Sequence, residues 1–63
     1  MKSYSSREVI KKLEENGWYL VRIRGDHHQY SNGHMMTTIT HPIKDIPMGT
    51  LKAIGKQTGI KFY

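Results

Sequence analysis

Cysteine is absent from this 63-residue chain, and proline and phenylalanine are scarce, at two residues and one. Without cysteine there is neither a disulfide framework nor a thiolate-held metal, two devices by which very small chains offset a thin core. Nothing therefore points to an oxidising compartment. Long hydrophobic runs are also missing; the longest spans a few residues, against roughly 20 needed to cross a bilayer. No apolar stretch follows the opening Met1-Lys2-Ser3-Tyr4, so no secretory signal and no membrane contact are expected. Acidic side chains are few, with five Asp+Glu set against ten Lys+Arg for a net charge of +5. What is present, 37% hydrophobic and 24% charged residues, is the composition of an ordinary globular protein. A chain of this size buries only about 60% of its unfolded surface. The expectation is one domain over residues 1–63, in the cytoplasm.

The excess of cations makes a polyanion a natural partner, because neutralising phosphates releases counterions. Excess lysine also serves plain solubility, so distribution matters more than total. Glu8, Glu14 and Glu15 gather near the N-terminus; Arg22 and Arg24 share one short segment, and Lys44, Lys52, Lys56 and Lys61 occupy the last third. That asymmetry favours a directed cationic patch.

Local patterns predict the element order α-β-β-β-α. Ser5 and Glu8 have capping-box spacing, Val9, Ile10 and Leu13 share a helical face, and Gly17 suits the end of that helix. Tyr19, Val21 and Ile23 then alternate with Leu20, Arg22 and Arg24, the period of a strand. Gly25-Asp26 is read as a two-residue turn with Gly at its first position, leading into a strand over 27–31. Asn32-Gly33 is read as a second such turn before a strand over 35–40, which ends at His41-Pro42. Pro47 opens a second helix, or its start lies at Met48 or Gly49; Leu51, Ile54 and Thr58 are the candidates for its inner face, and Gly59 closes it. The tail, Ile60-Lys61-Phe62-Tyr63, either packs on the core or adds an edge strand. The fold class is α+β: a three-stranded antiparallel sheet with two helices on one face.

Two-residue loops dictate a register. Arg24 opposes His27, Ile23 opposes His28, Arg22 opposes Gln29 and Val21 opposes Tyr30. Across the second hairpin, Tyr30, Gln29, His28 and His27 oppose Met35, Met36, Thr37 and Thr38. One face then carries Val21, Ile23, His28, Tyr30, Met35, Thr37 and Ile39, expected under the helices. The other carries Arg22, Arg24, His27, Gln29, Met36, Thr38 and Thr40, open to solvent. Adjacent histidines thus receive different roles: His28 packs, and His27 stands beside two arginines.

Imidazole is the side chain that titrates nearest neutral pH, so it can move a proton while neighbouring cations hold an anion. RNA carries its own nucleophile in the 2′-hydroxyl, and one positioned base with charge stabilisation suffices for cleavage without metal. No metal or other cofactor is expected: His27 and His28 point to opposite faces, and His34 sits at a hairpin tip. Trp18 reads as a core anchor. Tyr4 and Tyr63 could stack on bases or pack at the termini.

In order and spacing, the segments Leu13-Glu14-Glu15-Asn16-Gly17-Trp18, Arg22-Ile23-Arg24-Gly25-Asp26-His27-His28-Gln29-Tyr30, Thr38 through Pro47 and Gly49-Thr50-Leu51-Lys52-Ala53-Ile54 resemble the HicA toxin family. So does the closing Lys56-Gln57-Thr58-Gly59-Ile60. The resemblance implies a reduced double-stranded-RNA-binding fold and an mRNA-cleaving endoribonuclease that stops translation. It also implies a HicB antitoxin that covers the active site, with DNA reached only through that antitoxin. The family's Gly-small-His motif falls on Gly25, for the turn, and His27, as catalytic base or acid. Arg22, Arg24, Lys44, Lys52 and Lys56 are candidates for gripping phosphates on charge and position alone. Asp26 stands where the family usually has a small neutral residue, and a carboxylate there can orient His27 or repel phosphate. A non-catalytic RNA-binding module, or a protein that acts only in an antitoxin complex, remain the alternatives.

Overall fold

The computed structural model describes residues 3–62. Its order is α1 (Ser6–Glu15), β1 (Tyr19–Arg24), β2 (His27–Ser31), β3 (Met36–Thr40) and α2 (Met48–Thr58). The three strands form one antiparallel sheet in the order β1-β2-β3, so the α+β arrangement expected from sequence is the one observed.

Both ends of α1 follow from side-chain and backbone chemistry. The Glu8 N–H donates to Ser5 Oγ at 3.2 Å, and the Ser5 N–H donates to Glu8 Oε1 at 3.1 Å, which satisfies two donors the helix itself leaves orphaned. At the other end Gly17 takes φ +85°, and the Trp18 N–H returns to the Leu13 carbonyl at 2.9 Å. This reversal delivers Trp18 into the core beside Leu13, both buried. For α2, Pro47 is the N-cap rather than the first helical residue, and the Leu51 N–H donates to its carbonyl at 2.9 Å. Gly59, at φ +74°, ends it.

The core joins Val9 and Leu13 of α1, Leu51 and Ile54 of α2, and Tyr30 and Ile39 of the sheet. Phe62 also packs inward, edge-on to Tyr4 with ring centroids 5.5 Å apart. The tail therefore packs rather than pairs, and Tyr4 is a packing residue; Tyr63 lies outside the described residues.

Three expectations are corrected. First, the second hairpin loop spans residues 32–35. Asn32 keeps a negative φ, which excludes the tight turn needing positive φ at both centres. Its Oδ1 instead accepts from His34 N at 2.9 Å and Met35 N at 2.7 Å. Pairing therefore moves by two residues: Tyr30 opposes Thr37, Gln29 opposes Thr38, His28 opposes Ile39 and His27 opposes Thr40. A shift of two leaves every β3 side chain on its expected face.

Second, β1 contains a bulge. Arg24, Ile23 and Arg22 pair as expected with His27, His28 and Gln29, but Leu20 rather than Val21 opposes Tyr30, and Tyr19 opposes Ser31. Third, Val21, Ile23 and Met35 do not lie under the helices; they are 51%, 54% and 51% exposed. Both helices pack against β3, so their layer covers β2 and β3 and stops short of β1. Met35 belongs to the loop.

Candidate active site

Cross-strand pairing sorts the open face of the sheet into rows. Arg24, His27 and Thr40 form one, Arg22, Gln29 and Thr38 the next, and Tyr19, Ser31 and Met36 the third. His27 is the first residue of β2 and is 61% exposed. Its neighbours across the ladder are therefore a guanidinium and a threonine. Arg22 is held flat on the sheet by its own row, donating from Nε and Nη2 to Gln29 Oε1 at 3.4 and 3.2 Å.

The turn that presents His27 is built from Gly25, at φ +61°, and Asp26. The residue just past β3 pins it: the Asp26 carbonyl accepts from the His41 N–H at 2.8 Å, with His28 Nδ1 3.4 Å away. On the helix side the His28 and His41 rings meet edge-on, centroids 5.1 Å apart. His41 Nδ1 shares a hydrogen bond with the buried Ser6 hydroxyl at 2.6 Å. The His27 backbone is thus held through the turn to the end of β3 and on to α1, while its ring stands exposed on the open face.

Such an arrangement can hold a phosphate between cations and offer it a proton-transfer group. The Asp26 carboxylate belongs to the same surface, with Oδ1 3.8 Å from His27 Nε2.

Residues 6–60 match the family model described as the HicA toxin of bacterial toxin–antitoxin systems. The chain belongs to the HicA toxin family. HicA toxins are generally ribonuclease toxins that pair with an antitoxin. No curated protein matches the chain. Among the described residues, no helix is long and apolar enough to cross a membrane.

Of the residues singled out from sequence, the fold gathers Gly25, His27, Arg22 and Arg24 at one end of the open face. Lys52 and Lys56 are exposed on α2, in the helix layer behind the sheet, and Lys44 is exposed in the segment before α2. No hydrogen bond or ion pair among the described residues links these lysines to His27. Three contributors escaped the sequence reading. Ser6 and His41 meet across 35 residues, a separation no local pattern encodes. Tyr19 reaches the open face through the bulge; the only sequence sign is the unbroken apolar run Trp18-Tyr19-Leu20-Val21, which strict alternation does not explain.

Proposed function

We propose that this HicA-family chain is an mRNA-cleaving endoribonuclease of a single domain, acting in the cytoplasm, with His27 as its proton-transfer residue. The observation that carries the reading is the exposed His27 imidazole in one surface row with Arg24 and one row from Arg22. In this mechanism His27 takes the proton of a substrate 2′-hydroxyl. The 2′-oxygen attacks the adjacent phosphorus, the bond from phosphorus to the 5′-oxygen breaks, and the imidazolium returns its proton to that leaving oxygen. The products are a 2′,3′-cyclic phosphate and a 5′-hydroxyl. Arg22 and Arg24 offset charge building on the non-bridging oxygens. Gly25 shapes the turn, and Lys44, Lys52 and Lys56 add long-range attraction for the polyanion. Because the nucleophile comes with the substrate, the route calls for no metal. A HicB-like antitoxin masks the same face, and DNA is engaged only through that partner.

One observation favours a second reading, a non-catalytic RNA-binding module. The Asp26 carboxylate lies where it meets a phosphate approaching His27, and like charges there weaken the productive complex.

The test incubates RNA and the matching DNA with antitoxin-free wild-type protein and with His27→Ala, both in EDTA. Cleavage of RNA alone, by wild type alone, is expected. Equal cleavage by the variant removes His27 from the mechanism. RNA binding without cleavage by either protein supports the second reading.

A further inference from the structure

The bulge in β1 has a direct consequence for the open face. Strict alternation from Arg22 back along the strand would turn Tyr19 toward the helix side, with Ile23. Because Val21 is the extra residue between Leu20 and Arg22, Leu20 takes the helix side and Tyr19 shares the face of Arg22, Arg24 and His27. There it sits in a row with Ser31 and Met36. Tyr19 and Met36 are 53% and 52% exposed, and the residue between them is among the smallest available. Two interstrand spacings put the flanking strands about 10 Å apart. On the open face the aromatic Tyr19 and the thioether Met36 thus flank the smaller Ser31, and together they outline a slot one side chain wide. The Ser31 hydroxyl oxygen accepts the Gly33 N–H at 3.0 Å, and its O–H can still rotate to donate to a ligand.

We infer that the Tyr19–Ser31–Met36 row is a base-binding subsite for single-stranded RNA, in which one unpaired base stacks on Tyr19. This rests on the proposal that RNA lies across the His27 face. Charge supports that occupant: the slot is continuous with Arg22 and Arg24 on a chain of net charge +5, and aromatic platforms beside cations are how proteins hold unpaired bases. Along β2 the slot lies four residues from His27, about 13 Å. The stacked base therefore belongs to a nucleotide a short distance from the scissile phosphate. It fixes which strand segment reaches His27, and an A-form duplex, whose bases are already stacked, cannot fill it.

The test measures binding of short single-stranded RNA by fluorescence anisotropy in a His27→Ala background, which separates binding from cleavage. Adding Tyr19→Ala is expected to weaken binding about tenfold, while Tyr19→Phe changes it less than about twofold. Tyr19→Thr, which keeps a strand-forming side chain, should behave like Tyr19→Ala. Replacing one nucleotide at a time by an abasic residue should find one position with a similar loss, and that loss should vanish in the Tyr19→Ala protein. The inference is overturned if Tyr19→Ala and Tyr19→Thr bind RNA as tightly as the parent, or if no RNA binds. It is equally overturned if these variants lose only antitoxin affinity, which makes the row a protein interface. Cleavage by protein with His27 intact is scored separately: a Tyr19-dependent binder that never cuts RNA sinks the nuclease reading and leaves the subsite standing.

Discussion

Ser6 Oγ and His41 Nδ1 stand 2.6 Å apart and join the first turn of α1 to the end of β3. The same hydroxyl accepts the Ile43 N–H at 2.8 Å, and the Ser6 N–H donates to the Ile43 carbonyl at 2.8 Å. Ser6 is only 1% exposed, so in Ser6→Ala the backbone bond stays while water cannot replace the bonds of the hydroxyl. The Ile43 N–H then lacks its acceptor and His41 its partner, and the variant should lose about 1–3 kcal/mol of stability. Urea denaturation measures it directly. Since His41 also holds the Asp26 carbonyl, faster amide exchange at residues 25–27 should accompany the loss.

Gly25 offers a sharper test of the turn. Its φ of +61° belongs to the left-handed region, and a Cβ placed there meets nothing within 4 Å. The cost of Gly25→Ala is therefore backbone strain alone, about 1–2 kcal/mol. Gly25→Asn should cost less, because Asn tolerates this region. Relief of that strain moves the first residue of β2, so cleavage by Gly25→Ala should fall further than RNA affinity. Parallel loss of both would show that the turn serves binding only.

Asp26 sets a carboxylate beside the imidazole proposed to meet the phosphate. Asp26→Asn removes the exposed negative charge 3.8 Å from the imidazole, and RNA affinity should rise about threefold at low salt, with the gain shrinking as salt screens it. Anisotropy titrations at two ionic strengths check this. Cleavage that falls while affinity rises would assign the carboxylate to orienting His27.

Tyr30 sets an alkaline limit on stability. Burial raises its phenol above the ordinary value of 10.0, and the negative charge of Glu14 raises it further. A group whose folded form holds its proton more tightly than the unfolded form gives its full stabilisation below pH 10. That contribution is lost as pH rises through the folded value. Thermal midpoints should therefore decline above about pH 10, and Tyr30→Phe should flatten that decline. An equal slope in both proteins would place the alkaline loss elsewhere.

Much of this protein was determined by local sequence. The Ser5–Glu8 cap, the Gly17 reversal and the alternation along residues 22–24 depend on neighbours within a few residues, and so does the separation of His27 from His28. Those features emerged in the folded chain as the residues imply. Even the misplaced second hairpin kept its faces, because a two-residue error preserves the pleat. Tertiary structure decided the rest. A period of two does not register a single inserted residue, so the bulge that turns Tyr19 onto the His27 face had to come from strand pairing. Composition gives no measure of how far two helices reach across three strands, so the exposure of Val21 and Ile23 was settled by packing on β3. The bond between Ser6 and His41 joins positions 35 residues apart; only the closed fold puts that hydroxyl and that ring in reach of each other.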